Sequence, residues 1–317
     1  MTILVTGTAG FIGFHTAKRL LEEGFEVVGV DNINDYYSVD LKKDRNSVLK
    51  GYDGYEFYKV DISDLDKVKK VFSECDVDKI CNLAAQAGVR YSVENPHAYE
   101  KSNLAGFTNI LEMARHNDVE NLVYASSSSV YGGNDKIPYA VGDDVMSPIS
   151  YYAATKVANE VMAHSYHHLY GLKCTGLRFF TVYGPWGRPD MAMFLFADKM
   201  VKGEPIDVYN YGDMRRDFTY IDDIVDGVVS SLEKSFDYEI FNLGNNTPVE
   251  LMDFIEVLEE KLGIEAEKNM MPMQPGDMKE TYADISKSQE MLGFDPETGI
   301  EEGVQKFVDW YKEYYEI

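Results

Sequence analysis

A chain of 317 residues that is 45% hydrophobic can bury a sizeable core and exceeds one ordinary domain, so a large domain with a smaller one is expected. Its formal net charge of −24 argues against nucleic acid and anionic membrane surfaces as partners, and no apolar run approaches the roughly 18 residues of a membrane span. Three cysteines, Cys75, Cys81 and Cys174, show no metal-ligand spacing and the N-terminus opens without a basic leader, so reduced thiols, a cytoplasmic location and no bound metal are expected.

Thr2 to Thr6 is a short apolar strand, followed at once by Gly7, Gly10 and Gly13 and by a helix from about Phe11 to Glu23. Phe25 to Val30 reads as a second buried strand running into Asp31. Tyr55 to Val60 and Lys79 to Leu83 read as a third and a fourth, with a polar helix over Leu65 to Glu74 between them. A helix over about Pro96 to Asn117 precedes a fifth strand at Asn121 to Ala125. A long helix over Ala153 to Tyr170, stopped by Gly171, precedes a sixth strand near Lys173 to Phe179. This alternation predicts an α/β fold, a Rossmann-type doubly wound parallel sheet. After Tyr183 the character changes, with a Gly-Pro-Trp-Gly-Arg-Pro loop, a helix over about Ala192 to Lys202, a Tyr-Gly-Asp-Met-Arg-Arg-Asp loop and further helices from Glu250 onward. The helix at Ile221 to Leu232 and the strand at Ile240 to Leu243 read as a return to the sheet. The expected division is residues 1–180, with 217–245 returning to them, and a smaller interleaved domain over 181–317.

Gly7-x-x-Gly10-x-x-Gly13 between a strand and a helix is a phosphate-binding turn. The first glycine permits the tight turn, the second lets backbone approach a pyrophosphate, and the third lets helix and strand pack closely. Asp31, at the end of the second strand, would accept hydrogen bonds from an adenosine ribose and repel a 2′-phosphate, which favours NAD over NADP. Asp61, ending the third strand, is an adenine contact on positional grounds. Residues 1–180 are therefore expected to bind NAD.

On the long helix Tyr152 and Lys156 lie one turn apart on one face. A phenol with a pKa of about 10 needs a drop of roughly 3 units, or about 4 kcal/mol, to work near neutrality. One positive charge about 5 Å away at an effective dielectric near 20 supplies roughly 3 kcal/mol. Lys156 and a second cation, such as an oxidised nicotinamide ring, would suffice. The competing reading is an ordinary helix with Tyr152 on the surface and Lys156 paired to Glu160.

Gly7, Gly10 and Gly13, the Leu83-Ala84-Ala85-Gln86 segment, the run Ser126-Ser127-Ser128-Ser129-Val130-Tyr131-Gly132 and the Tyr152/Lys156 pair together resemble the extended short-chain dehydrogenase/reductase family, along essentially the whole chain. More closely, Arg90-Tyr91-Ser92, the four serines, the block from Leu177 through Gly184-Pro185-Trp186-Gly187-Arg188-Pro189-Asp190-Met191, and Ile206 to Asp213 are similar to the UDP-glucuronate 4-epimerases of that family. The resemblance implies an isomerase that holds NAD tightly, takes hydride from C4 of the sugar and returns it to the other face. Tyr152 would be the general base on the 4-hydroxyl, Lys156 would hold the nicotinamide ribose and lower the phenol, and Ser127, 25 residues before Tyr152, would bond the reacting oxygen.

By the same resemblance the NAD site comprises Gly7, Gly10, Phe11, Ile12, Asp31, Asn32, Asp61, Ile62, Leu83, Ala84, Ala85, Asn103 and Phe179 with Tyr152 and Lys156. The UDP-sugar, as UDP-glucuronate or UDP-galacturonate, would meet Arg90, Ser128, Thr181, Arg188, Arg216 and Asp277. A guanidinium fork matches a carboxylate at two points, so Arg188 is the expected reader of the C6 carboxylate, and Arg216 would bind the diphosphate. Dehydratases and decarboxylases of the family carry an acid just before Val-Tyr-Gly, where this chain has Ser129, so a base for the C5 proton is missing. UDP-glucose 4-epimerisation and a non-catalytic NAD-binding role are the alternatives. The resemblance also implies a homodimer formed through the helices near 96–117 and 150–170. His164, His167 and His168 are expected to pack rather than to bind metal.

Overall fold

The computed structural model describes residues 1–274 and 278–317. Among these, β1 (Thr2–Thr6), β2 (Glu26–Asp31), β3 (Tyr55–Lys59), β4 (Lys79–Asn82), β5 (Asn121–Ala125), β6 (Cys174–Phe179) and the strand Tyr238–Leu243 form one parallel sheet. Across it the order is β3-β2-β1-β4-β5-β6 and then Tyr238–Leu243. This is the expected α/β doubly wound arrangement. The strand order reverses between β1 and β4, and the crevice beyond their carboxyl ends is where such sheets receive a ligand.

Strands covered on both faces read as continuous apolar runs, as Ile-Leu-Val in β1 and Val-Val-Gly-Val in β2 do. Side chains alternate between the faces. Ile3 and Val5 join Phe14 and Ala17 of helix α1 (Phe11–Glu22) and Ile224 and Val228 of the helix Ile221–Glu233. Leu4 faces the other way, into a cluster with Val68, Phe72, Ile110, Leu111 and Ala163. Burying each large apolar side chain contributes about 1.5–3 kcal/mol, so these two layers dominate stability. Cys81 and Cys174 are buried in them, and Cys75 is half-buried.

The long helix runs Tyr151–Tyr170. The Ser150 hydroxyl caps it by accepting from the Ala153 N–H at 3.1 Å, and Gly171 stops it in the left-handed conformation at φ 69°. The region expected as one helix over 96–117 is helical but uneven: Pro96–Tyr99, a π segment at Glu100–Gly106, then Phe107–His116. Helix α2 (Val39–Leu49) has no counterpart in the expectations from sequence. Beyond β6, short strands build the rest: Thr181–Tyr183 pairs with Phe218–Tyr220, Ile206–Val208 with Lys268–Met270, and Arg215–Arg216 lies between Val249–Glu250 and Glu280–Thr281. Among the described residues no helix is long and apolar enough to cross a membrane.

Candidate active site

The glycine turn is built by backbone contact. Gly7 has φ +80°, and a Cβ there would stand 2.9 Å from the Ala84 nitrogen; a Cβ on Gly13 would stand 2.0 Å from the Gly7 carbonyl oxygen. No L side chain fits at either place. Gly10 caps α1 and no side chain accepts from the helix's first N–H groups, so the positive end of the helix faces the crevice. That cradle fits the diphosphate of a dinucleotide. Phe11 and Ile12 begin the same helix.

Asp31 ends β2 and closes the turn, one carboxylate oxygen accepting from the Ala9 N–H at 3.1 Å and the other from the Ile33 N–H at 2.7 Å. Burial pushes its carboxyl up, opposed by those N–H groups and by the charges of Lys42 and Arg45. Asn32 follows, its Nδ2 3.5 Å from the Asp61 carboxylate. Asp61 is half-buried. Burial works to raise it, but the Lys101 ammonium at 2.8 Å and two bonds from Ser63 win and hold the carboxyl at about 2. Ile62, next in the chain, is buried.

Leu83, Ala84 and Ala85 run along the crevice wall after β4. They are positioned by Asn103, which is 2% exposed. Its Oδ1 accepts from the Gln86 N–H at 2.8 Å, and its Nδ2 donates to the Gln86 carbonyl and to Thr155, each at 3.0 Å. Both amide hydrogens of Asn103 are thus committed inside the chain, so its side chain reaches a cofactor through the segment it holds. Phe179 ends β6 and is buried.

Ser127, Tyr152 and Lys156 come together beside this wall. The Ser127 hydroxyl lies near enough to the Tyr152 phenol to influence it, and the Ser129 hydroxyl donates to the Ser127 hydroxyl at 2.7 Å. Burial pushes the phenol up; the Ser127 hydroxyl and the charge of Arg188 pull it down. The Lys156 ammonium donates to the Ala125 carbonyl at 2.8 Å and lies 5.9 Å from the center of the Tyr152 ring. Burial in turn brings Lys156 down to about 8, against the pull of Glu160. Glu160 itself pairs with Arg178 at 2.8 Å and accepts from Ser126 at 2.6 Å, so the competing Lys156–Glu160 pair is not the arrangement formed. Tyr99, fully buried, sets its ring edge-on to Tyr152 at 5.9 Å. Neither Ser129 nor Tyr99 was expected in the site. Only the i,i+2 spacing of Ser127 and Ser129 hinted at the former.

Ser128 and Thr181 are half-buried at the same end of the sheet. Arg188 is the guanidinium whose charge reaches Tyr152, and it makes a two-point pair with Asp190, Nε to Oδ1 at 3.0 Å and Nη2 to Oδ2 at 2.5 Å. Tyr36 donates to the same carboxylate at 3.2 Å. Arg188 therefore has a structural partner that the bare loop sequence concealed. Arg90 is exposed, its guanidinium over the Tyr209 ring at 4.9 Å. Arg216 donates to the carbonyls of Arg215 at 2.8 Å and Lys279 at 3.1 Å. Asp277 lies outside the described residues.

Among the described residues no cluster of His, Cys, Asp and Glu is placed to hold a metal. His164 instead packs edge-on against Tyr238 at 5.0 Å.

Comparison with known proteins agrees with this geometry. A family model described as "NAD dependent epimerase/dehydratase family" matches residues 3–244. A probable UDP-glucuronate 4-epimerase of Rhizobium meliloti is 46% identical, the match covering 99% of this chain and 98% of that protein. The fold matches a UDP-glucuronic acid 4-epimerase from Bacillus cereus, solved in complex with UDP-glucuronic acid and NAD, with TM-score 0.92 and 35% identity over 99% of this chain and 100% of that one. A UDP-glucose 4-epimerase from Thermotoga maritima, solved with UDP-glucose, gives TM-score 0.90 and 31% identity over 99% and 100% of the two chains.

Proposed function

The chain belongs to the NAD dependent epimerase/dehydratase family, as an NAD-dependent nucleotide-sugar 4-epimerase, an isomerase, and we propose that within it this chain interconverts UDP-glucuronate and UDP-galacturonate. Bound NAD would supply a reversible hydride acceptor for C4 of the sugar, return to the opposite face giving the epimer. The turn Gly7–Gly13 and Asp31 would bind and orient it. Tyr152 takes the proton of the 4-hydroxyl as the sugar becomes a transient 4-keto species, and gives it back after the sugar has turned over. Ser127 bonds the same oxygen, and Ser129 orients Ser127. Lys156, tied to the Ala125 carbonyl, presents its ammonium beside the phenol and toward the ribose.

The observation that carries the choice of substrate is the placement of Arg188. In a hexuronate the carboxylate is attached to C5, next to C4, so the group that reads it must lie close to the group that handles the 4-hydroxyl. Arg188 is the cation whose charge reaches the Tyr152 phenol, and its fork already fits a carboxylate at two points. Thr181 and Ser128 flank the same space, and Arg216 and Arg90 serve the diphosphate side. UDP-glucose would use the same Tyr152, Lys156 and Ser127, and differs in having no carboxylate for Arg188. Inversion at C5 is disfavoured because Ser129, a hydroxyl, occupies the position of the acid it would need.

Residues 1–180 with 217–245 would hold NAD and residues 181–317 the UDP-sugar. A homodimer through the helices near 96–117 and 150–170 fits the exposure of Val161, Leu169 and Tyr170 on the long helix. The free thiols suit a reducing, cytoplasmic setting.

The reading is tested with UDP-glucuronate carrying deuterium at C4. The expected product is UDP-galacturonate with the label still at C4. No conversion, or loss of the label to water, contradicts it.

A further inference from the structure

The loop that carries Arg188 is gripped by the two helices beside the glycine turn. Three consecutive carbonyls of that loop accept bonds from just two side chains. His15, on α1, bonds the Pro185 carbonyl through Nε2 at 2.9 Å. Arg45, on α2, donates Nη2 to the Trp186 carbonyl at 2.6 Å and to the Gly187 carbonyl at 2.9 Å. The other amino group of Arg45, Nη1, donates to the Ala9 carbonyl inside the glycine turn at 2.8 Å and to the Tyr37 hydroxyl at 2.8 Å. One planar fork thus spans the cofactor turn and the residue immediately before Arg188.

Several features make this more than filling. Arg45 is 0% exposed, and its bonded partners are three carbonyls and one hydroxyl, with the Asp31 carboxylate as the nearby opposite charge. Burying a guanidinium among neutral acceptors costs desolvation that an apolar side chain of similar size would avoid, so its retention calls for a role beyond stability. The gripped loop is also one that would not hold its shape alone. Gly184 has φ +143° and Trp186, a bulky residue, has φ +57° in the left-handed region. Trp186 is wedged between Phe14 of α1 and Trp310 and Tyr314 of the helix Ile300–Tyr315, ring centers 5.2–5.4 Å away. The His15 ring is neutral, burial having brought it down to about 3, and the hydrogen on its Nε2 is the one the Pro185 carbonyl accepts.

We propose that Arg45, assisted by His15, is a positioning residue that sets the loop 184–188 against the glycine turn and thereby places the Arg188 fork at the distance from C4 at which it receives the sugar carboxylate. This rests on the reading of Arg188 given above. A lysine cannot substitute, because a single ammonium on a flexible stem does not bridge Ala9 on one side and Trp186 and Gly187 on the other.

The test uses purified holoenzyme and follows four quantities: bound NAD, the Kd of UDP, and kcat and KM for UDP-glucuronate. Arg45→Lys is expected to keep NAD and the Kd of UDP, to raise the KM for UDP-glucuronate about tenfold, and to change kcat much less. His15→Phe, which keeps an aromatic ring against Phe11 and Phe14, is expected to move KM the same way by about threefold. If Arg45→Lys does not fold, His15→Phe decides alone. An unchanged KM, or a parallel fall of kcat, NAD and UDP binding, overturns the proposal, since the second pattern is that of general structural damage. If the unaltered protein fails to turn over UDP-glucuronate, the functional reading itself falls and this inference with it; active parent and indifferent variants remove this inference alone.

Discussion

Arg188 meets Asp190 at two points, Nε to Oδ1 at 3.0 Å and Nη2 to Oδ2 at 2.5 Å, so the guanidinium arrives at the site oriented by a carboxylate of its own chain. This side-on pair leaves Nη1 and one Nη2 hydrogen for a second acceptor. Asp190 is itself settled by the arrangement. Burial works to raise its carboxyl, but the charge and fork of Arg188 and the Tyr36 hydroxyl keep it below the usual range.

Replacing Arg188 by Ala should raise the KM for UDP-glucuronate far more than it changes any reaction of UDP-glucose, a difference of about 2–3 kcal/mol in transition-state binding for a charge-assisted two-point bond. Asp190→Asn keeps the shape but removes the charge that orients the fork, and a smaller loss of the same sign is expected. Steady-state kinetics on both substrates measure both. Equal losses on the two would take the carboxylate away from Arg188.

Tyr152→Phe removes one oxygen from a half-buried ring that packs against Tyr99, so folding and NAD retention should be preserved while epimerisation falls by at least about a hundredfold. Cofactor released on denaturation and product formation are measured on the same sample. Full activity in this variant would remove the proposed base.

The pH dependence follows from what surrounds the phenol. Burial raises Tyr152, and Ser127 and Arg188 are the groups that lower it. The base works as phenolate, so a variant that loses a lowering group needs a higher pH to reach the same phenolate fraction. Ser127→Ala should therefore move the ascending limb of kcat/KM to higher pH and depress activity at neutrality. Lys156 titrates at about 8, so the ammonium beside the phenol is lost above that pH and a descending limb should follow. Rate profiles of the holoenzyme from about pH 6 to 11, reaching past the ordinary phenol value of about 10, give the answer. A profile unmoved by Ser127→Ala would separate Ser127 from the reacting oxygen.

Gly13→Ala would put a methyl group 2.0 Å from the Gly7 carbonyl oxygen, a backbone atom with no room to retreat. The turn must open, with a cost of about 1–3 kcal/mol in stability, and the purified variant should carry little or no NAD. Thermal melts and the absorbance of released cofactor check both.

Much of this was legible because apolar periodicity and punctuation agree. The strands from Thr2 to Phe179, the glycine turn and the stop of the long helix at Gly171 all follow rules that depend on neighbours in sequence. Helix α2 was not legible, for a definite reason. Its buried face includes Lys42, Arg45 and Asn46, polar because the groups it packs on are carbonyls and hydroxyls, so the stretch reads as solvated. The side-chain partners of Lys156 and Glu160 were not legible either. A charge at i,i+4 is visible in sequence, whereas Arg178 claiming Glu160 and Ala125 claiming Lys156 depend on how β5 and β6 meet the helix. The grip of Arg45 on Trp186 and Gly187 joins residues more than a hundred positions apart, and no local pattern records it.

The most direct test is to incubate the purified protein, with no NAD added, separately with UDP-glucuronate and with UDP-glucose, and to follow the products by chromatography and NMR. The account predicts UDP-galacturonate from the first and little or no UDP-galactose from the second, the retained cofactor sufficing for many turnovers. Turnover of UDP-glucose in preference to UDP-glucuronate would contradict it, leaving Tyr152 and NAD in place but removing the carboxylate from Arg188.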